Sequence, residues 1–415
     1  MWLWPPGTLR SRRWLHSNLV TTETEAMAIS TSPLGLEYVI TLAKQRTGLD
    51  DFGDDNFWAP LKILLEALIE QADLNEAGIQ GQSERIIEIL CQRLLAQSFF
   101  DKYPDILNEE ILNPVVIVGL PRTGTTMLHR TLGSDQRFYT PIWFETRFPS
   151  PPIDWDFTGE DPRLDAAKAE ILGMLDANPE LAAMHPFDAE AADEEIMLLE
   201  QSFYSSVPEA FCNIPDYANW IDSHDNTPGY QYLYRVLQFL QWQKKRKGQE
   251  VRRWLLKAPH HMHHLDLLLA TFPGVKVVQT HRDPIETIPS FTSLNYGLWK
   301  LNTDNPDAQA VADIWCAKFS RSMRRAIGIR DQHPDCFFDV NYKDATRNAD
   351  GVLESIYKFI DMEFTDGAKA GIEKWRDKNR RNDRAVHEYS PEQFGYTEDF
   401  LKAEFKDYRH RYGFE

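Results

Sequence analysis

Two groups of side chains in this sequence have the types and spacing to bind phosphate. The first follows a run of β-branched residues and combines glycines with an arginine and threonines: Gly119-Leu120-Pro121-Arg122-Thr123-Gly124-Thr125-Thr126. Backbone N–H groups in a glycine loop at the start of a helix converge on an anion, and glycine allows its close approach. We therefore predict an anion-binding loop whose binding residues are Arg122, Thr123, Gly124, Thr125 and Thr126.

The glycine loop also fits the Gly-x4-Gly frame of an ATP- or GTP-binding P-loop. In that motif a lysine holds the β and γ phosphates, but Thr125 occupies its position here. A P-loop kinase or triphosphatase is therefore the less favoured hypothesis. A nucleotide-binding homologue without catalytic activity is a second alternative.

The second group consists of Arg282, which follows the predicted strand at residues 275–280 after one intervening residue, and Ser290, eight residues further on. An arginine at the end of a strand and a serine two turns into the next helix can hold one phosphate from two sides. Lys257 ends another short apolar run and provides a third cation. Together these groups indicate a nucleotide with phosphates on both sides of its ribose.

These motifs resemble those of sulfotransferases that use 3′-phosphoadenosine 5′-phosphosulfate (PAPS), especially the bacterial-type group related to tyrosylprotein sulfotransferases. The family's glycine loop binds the 5′-phosphosulfate, and an Arg-x7-Ser pair like Arg282 and Ser290 binds the 3′-phosphate. A lysine that contacts the transferring group precedes that arginine by 25 residues, as Lys257 does here. The resemblance implies PAPS as co-substrate, a role for Arg122 at the transferring group, Tyr342 near the adenosine, and no required metal.

Two residues are candidates for the base that removes the acceptor's proton. Glu145 lies 23 residues after Arg122 in a Glu-Thr-Arg sequence, and the tyrosylprotein enzymes carry a catalytic glutamate at nearly the same place. His185 is the alternative, because cytosolic sulfotransferases use histidine. We predict Glu145 ahead of His185.

Four neighbouring histidines could suggest a metal site: His260, His261, His263 and His264. Their spacing would place some imidazoles on one helical face. No companion carboxylate motif is present, so we predict no metal ligands and expect contacts with the donor or the acceptor.

Composition excludes several classes of protein. The net charge of −18 over 415 residues disfavours a nucleic-acid partner. No apolar run approaches a membrane span, so we expect a soluble chain acting on a small-molecule or lipid acceptor, in an oligomeric state left open. Four scattered cysteines fit a cytoplasmic location, although arginines in residues 1–26 weakly resemble a transit peptide.

The elements that must position these groups alternate between strand and helix, which predicts an α/β fold: a P-loop-like core with a mostly parallel sheet flanked by helices. Residues 1–26 are an atypical extension that we expect to be disordered, residues 27–113 a helical segment, and residues 114–415 the α/β domain. Helices should fill an insertion at about 163–245, and residues 143–162 should be irregular. The predicted strands are 115–119, 252–256, 275–280 and 336–340.

Overall fold

A computed structural model of the protein describes residues 32–177, 187–379 and 390–415. The predicted extension, residues 1–26, and the candidate base His185 lie outside the described residues. Five parallel strands form one sheet in the order β2-β3-β1-β4-β5. They are β1 (Val115–Gly119), β2 (Phe138–Tyr139), β3 (Arg253–Lys257), β4 (Lys276–His281) and β5 (Phe337–Asn341).

Helices flank this sheet, as predicted for the fold class. In chain order they are α1 (Leu36–Thr47), α2 (Trp58–Glu70), α3 (Glu76–Lys102), α4 (Thr125–Leu132), α5 (Trp143–Arg147), α6 (Arg163–Ala177), α7 (Ile196–Glu200), α8 (Val207–Phe211), α9 (Pro215–Ser223), α10 (Thr227–Arg246), α11 (Leu265–Thr271), α12 (Pro284–Trp299), α13 (Ala308–Gln332), α14 (Tyr342–Arg347), α15 (Ala349–Phe359), α16 (Asp366–Lys378), α17 (Glu398–Glu404) and α18 (Lys406–Tyr412). Short 3₁₀-helices lie at Asp55–Phe57, Pro104–Asn108, Pro259–His263, Pro334–Cys336 and Pro391–Phe394.

The central strand β1 is buried along its whole length. Val116 and Val118 belong to a large apolar cluster that also contains residues of α1, α2 and α3, whereas Val115 and Ile117 pack with residues of α15 and α16 on the other face. A strand covered on both faces needs apolar residues at every position, not at alternate ones. This explains the continuous β-branched run.

The four predicted strands agree with the structure to within one residue. The two-residue strand β2 was not predicted. The segment expected to be irregular, residues 143–162, begins instead with helix α5, where the Glu145 carboxylate accepts a hydrogen bond from the Ile142 N–H at 3.3 Å. Within the described residues no helix is long and apolar enough to cross a membrane.

Candidate active site

The carboxyl ends of the parallel strands bring the predicted motifs to one edge of the sheet. Gly119 at the end of β1 pairs with Thr280 of β4, and Ile117 pairs with Lys257 at the end of β3. Ligands of open α/β sheets bind at this edge. The glycine loop, Lys257 and the Arg282 turn are therefore neighbours.

The glycine loop has the backbone conformation that an anion-binding turn requires. Arg122 has a φ of 69° and Gly124 a φ of 90°, immediately before α4 begins. A Cβ atom on Gly124 would lie 3.0 Å from the Tyr342 ring, so a larger residue there would push against that ring. Glycine thus lets the loop pass close beneath Tyr342 and leaves the N–H groups of α4 facing the cavity edge.

The threonines of the loop differ in what their side chains contact. The Thr123 hydroxyl bonds to the Leu120 carbonyl and to Thr280 Oγ1, each at 2.6 Å, and Thr123 is only 1% exposed. Its side chain therefore fixes the loop to β4 and does not face the cavity, which leaves Thr123 its backbone N–H for binding. Thr125 and Thr126 do line the cavity.

The remaining residues predicted to bind phosphate lie together. The Arg122 Nε donates to Ser290 Oγ at 3.2 Å, and an Arg282 NH donates to the Arg122 carbonyl at 3.3 Å. The Arg282 guanidinium also stands 4.6 Å from the centre of the Tyr342 ring. Arg122, Arg282 and Tyr342 line the cavity, whereas Ser290 is buried behind Arg122.

The cavity has a volume of about 630 Å³, and its lining has two parts, which we call lobes, because many of its apolar residues belong to one or the other of the two large apolar clusters. One lobe lies beside α4, α14, α15 and α16 and is lined by residues that include Met127, Ala345, Val352, Leu353 and Trp375. The other lobe is bounded by α7, α8, α12 and α13, and its apolar lining includes Met197, Val207, Phe291, Leu298, Trp315 and Phe319.

Lys257 lies beside the glycine loop and contacts two residues that line the cavity. Its ammonium group donates to Thr126 Oγ1 at 3.2 Å and forms an ion pair with Glu194. The lysine side chain is 1% exposed, whereas the Glu194 side chain is 20% exposed and lines the cavity. Glu194 was not among the predicted site residues. Its signal in the sequence is only a run of three acidic residues, Asp193 to Glu195, directly before α7.

A buried chain of hydrogen bonds holds the backbone of Lys257 in place. The Lys257 backbone N–H donates to Glu195 Oε2 at 2.7 Å, and the other Glu195 oxygen lies 2.8 Å from His261 Nε2. His261 Nδ1 in turn lies 2.8 Å from the Tyr230 hydroxyl. The two side-chain bonds are consistent with His261 donating to the carboxylate and accepting from the tyrosine.

The structure does not bring Glu145, the predicted base, to this cavity. Its carboxylate forms a buried ion pair with Lys244 of α10. Both residues line a different, smaller cavity of about 290 Å³ together with Asp161 and Arg163. This placement does not support a catalytic role for Glu145. Glu194 is instead a carboxylate that lines the main cavity and contacts Lys257.

The histidine cluster is buried against the second lobe. His260 Nδ1 shares a hydrogen bond with Ser206 Oγ at 2.9 Å, and His263 Nδ1 contacts Ser322 Oγ. Burial lowers the pKa of both imidazoles well below the ordinary value, so they are neutral. Nowhere in the described part of the chain do three or more metal-ligating side chains come together as a metal site.

The chain is similar to known proteins both in sequence and in structure. A model of the sulfotransferase family matches residues 114–366. Omega-hydroxy-beta-dihydromenaquinone-9 sulfotransferase Stf3 of Mycobacterium bovis is 24% identical over 254 residues, which cover 60% of this chain and 63% of that relative. The match thus spans less than two thirds of the relative's length, and the Mycobacterium tuberculosis Stf3 gives the same values.

Two crystal structures share the fold over nearly the whole chain. Sulfotransferase STF1 from Mycobacterium tuberculosis H37Rv has a TM-score of 0.79 at 28% identity, covering 91% of this chain and 100% of that one. Sulfotransferase STF9 from Mycobacterium avium has a TM-score of 0.81 at 25% identity, covering 91% and 96%.

Proposed function

This chain belongs to the sulfotransferase family, and we propose that it transfers a sulfuryl group from PAPS to a hydroxyl group of an apolar acceptor. The observation that carries the proposal is the meeting of Arg122, Arg282 and Lys257 beside one glycine loop at the edge of the cavity. Three cations and a set of free helix N–H groups suit a donor with several anionic groups.

The proposed donor site uses both phosphate motifs. The loop from Arg122 to Thr126 would hold the 5′-phosphosulfate, and Arg282 would hold the 3′-phosphate. Ser290, whose hydroxyl accepts a hydrogen bond from Arg122, would join Arg282 once Arg122 turns to the donor. Tyr342, which contacts both motifs, would lie against the adenosine. The lobe that contains Trp375 offers an apolar and aromatic surface for the adenine base.

In the proposed reaction, Glu194 accepts the proton of the acceptor hydroxyl. The hydroxyl oxygen forms a bond to sulfur while the bond between sulfur and the bridging phosphate oxygen breaks. Lys257 and Arg122 stabilise the negative charge that remains on that oxygen. The products are a sulfate ester and 3′-phosphoadenosine 5′-phosphate (PAP), and the proton stays on Glu194 until solvent removes it.

The ion pair between Lys257 and Glu194 connects donor binding to base function. Within the chain, Lys257 neutralises Glu194. A lysine that turns towards the bridging oxygen leaves the carboxylate free to accept a proton. Because sulfuryl groups carry less charge than phosphoryl groups, two cationic side chains can serve without the magnesium that kinases need.

The second lobe supports an apolar acceptor. Aromatic and aliphatic side chains such as Phe291, Leu298 and Trp315 form its walls, and apolar pockets of this kind bind ring compounds and lipids. The name of the relative Stf3 states a hydroxylated menaquinone as its substrate, which fits the same class. We propose a small-molecule or lipid alcohol as the acceptor.

Calorimetry with PAP tests the donor assignment. We expect binding in the micromolar range and competition by PAPS but not by ATP, because the loop lacks the P-loop lysine. Transfer is then measured with labelled PAPS against phenols, sterols, lipid alcohols and sugars. A chain that is folded and binds no PAP would contradict the proposal.

Substitution of the bridging lysine tests the chemistry. Lys257→Ala should lower the transfer rate by about 100-fold or more, because the leaving oxygen loses its cation. Lys276→Ala is the matched control, since Lys276 opens β4 and pairs weakly with Asp361 at the opposite edge of the sheet. An unchanged rate in Lys257→Ala would show that this lysine has no role in transfer.

A further inference from the structure

The apolar lobe of the cavity contains a polar feature that the proposed reaction does not use. Ser206 and His260 both line the cavity, are 6% and 2% exposed, and share the hydrogen bond between Ser206 Oγ and His260 Nδ1. The residues beside them on this wall, Val207 and Ala210, are apolar. A buried polar pair within an apolar wall is costly unless a further partner completes its hydrogen bonds.

His260 retains unused hydrogen-bonding capacity. Its Nε2 atom is buried and has no hydrogen-bond partner in the part of the chain that the structure describes. The neutral imidazole carries one donor and one acceptor nitrogen, and Ser206 can donate to or accept from Nδ1. The pair can therefore adapt to an oxygen that accepts or donates a hydrogen bond, and it cannot supply a positive charge.

Aromatic side chains form part of the lining of the same lobe, with the Phe291 ring edge-on to both Trp315 and Phe319. The rings of Phe291 and Trp315 have centroids 5.0 Å apart, those of Phe291 and Phe319 are 5.1 Å apart, and Trp315 stacks on Phe319 at 5.5 Å. The His263 ring also stacks on the Phe319 ring, with the two centroids 5.8 Å apart. A further aromatic ring can pack edge-to-face or face-to-face on such a cluster, which gives it a contact energy that a flexible alkyl chain lacks.

We propose that Ser206 and His260 recognise an oxygen on the ring of the acceptor, separate from the hydroxyl that is sulfated. The acceptor is then an apolar ring compound with a ring carbonyl or ring hydroxyl, and not a simple fatty alcohol. This inference rests on the proposed function, because it assigns the acceptor of that same reaction. It makes Ser206 and His260 specificity-determining residues.

Two matched alcohols test the inference. One is a hydroxyalkyl-1,4-naphthoquinone, and the other is the hydroxyalkylnaphthalene with the same side chain, so that only the ring oxygens differ. We expect kcat/KM for sulfation to be at least about tenfold higher with the quinone, the ratio expected from one buried hydrogen bond. Equal values for the two alcohols, or preference for a long-chain fatty alcohol, would overturn the proposal.

Variants of Ser206 and His260 test whether these two residues cause the preference for the quinone over the naphthalene. Ser206→Ala and His260→Phe should reduce the quinone-to-naphthalene ratio to near one, whereas His260→Gln, which keeps a donor and an acceptor, should retain part of it. Ser205→Ala is the control, because the Ser205 hydroxyl contacts the Val207 N–H and lies outside the cavity lining. A ratio unchanged in both Ser206→Ala and His260→Phe contradicts the assignment.

Calorimetry with PAP separates this inference from the proposed function. PAP affinity should stay within about twofold of the original in all four variants, because none contacts the phosphate motifs. Normal PAP binding with no preference between the two alcohols would remove only the inference. Absence of PAP binding in the original chain would remove the proposed function itself.

Discussion

Each cation of the proposed donor site has a hydrogen-bond partner within the chain. Lys257 pairs with Glu194, and Arg282 donates to Glu286 at 2.9 Å from its Nε. Arg122 donates to Ser290. A donor would therefore exchange these contacts for its own, and the contacts hold the three cations in place beside the glycine loop. In the proposed reaction, the exchange would also free Glu194 to act as the base.

The two glutamates can be distinguished by one substitution each. Glu194→Gln should lower kcat by about 100-fold while PAP affinity changes little, because the amide cannot take the acceptor's proton. Glu145→Gln should leave kcat nearly unchanged and reduce the free energy of unfolding, because it leaves Lys244 buried without its counter-charge. Steady-state sulfation assays of both variants measure kcat, and chemical denaturation measures their free energy of unfolding. Loss of kcat in Glu145→Gln alone would restore the original prediction.

Asp193, next to Glu194, provides a test through pH. Burial raises the pKa of this carboxyl from 3.8 to about 6, and its Oδ2 has no hydrogen-bond partner among the described residues. The folded chain thus holds a proton that the unfolded chain loses above about pH 4, so stability falls as the pH rises through this window. Asp193→Asn removes that dependence.

The gain in unfolding free energy from Asp193→Asn should be about 2 kcal/mol larger at pH 7.5 than at pH 4.5. Urea denaturation of both chains at the two pH values measures it. A difference between the chains that does not change with pH would show that Asp193 ionises in the folded chain as readily as in the unfolded one.

At the scale of elements, the junction of β3 with the loop before α7 depends on the bonds among Glu195, His261 and Tyr230. Glu195 holds the backbone of Lys257, so a shift of this carboxylate moves the lysine and its neighbour Glu194 together. Tyr230 of α10 closes the chain through His261. These are positioning residues, because they act on the site through Lys257 and Glu194.

Tyr230→Phe removes only the last hydroxyl of this chain. We expect kcat to fall by up to about tenfold with KM for PAPS nearly unchanged, since misplacement of catalytic groups affects the transition state more than donor binding. Tyr217→Phe is a matched control, because its buried hydroxyl bonds to the carbonyls of Phe203 and Ser205. Both variants should lose about 1 kcal/mol of stability. An equal effect of both on kcat would indicate a merely structural role for Tyr230.

These contacts also show why the sequence predicted some of the site and missed the rest. The glycine loop, Arg282 and Ser290 belong to strand–turn–helix units whose geometry is local, so spacing alone placed them. Glu194 reaches the site through a pairing of distant segments, in which Glu195 binds the backbone of β3. Glu145 lies at a suitable spacing, but Lys244 from α10, 99 residues away, pairs with it elsewhere. Neither long-range contact has a signal in one sequence.

At the scale of the whole molecule, the proposed anionic donor would bind to a chain with a net charge of −18. At physiological ionic strength, charges beyond about 8 Å are largely screened, so the nearby cations decide donor binding. The acidic surface instead acts on larger ligands, and it disfavours acceptors that carry many sulfate or phosphate groups. This agrees with the apolar lobe proposed for the acceptor.

The C-terminal helix links the end of the chain to the site. Arg409 of α18 forms two hydrogen bonds with Asp283, at 3.0 and 3.1 Å. Asp283 also accepts from the Ile285 N–H and so fixes the start of α12. One residue earlier lies Arg282, and the Tyr408 hydroxyl lies 2.9 Å from Nδ1 of His281. The helix α18 therefore holds the turn that presents Arg282 to the donor.

Arg409→Ala should consequently weaken PAP binding severalfold and cost about 2 kcal/mol of stability, the usual value of hydrogen bonds to a charged group. Arg411→Ala is the matched control on the same helix, because Arg411 pairs with the more exposed Asp331, away from the turn. Calorimetry with PAP and thermal unfolding separate the two effects. If both variants lost stability equally and neither lost PAP affinity, α18 would only cover the core, and the position of Arg282 would depend on β4 alone.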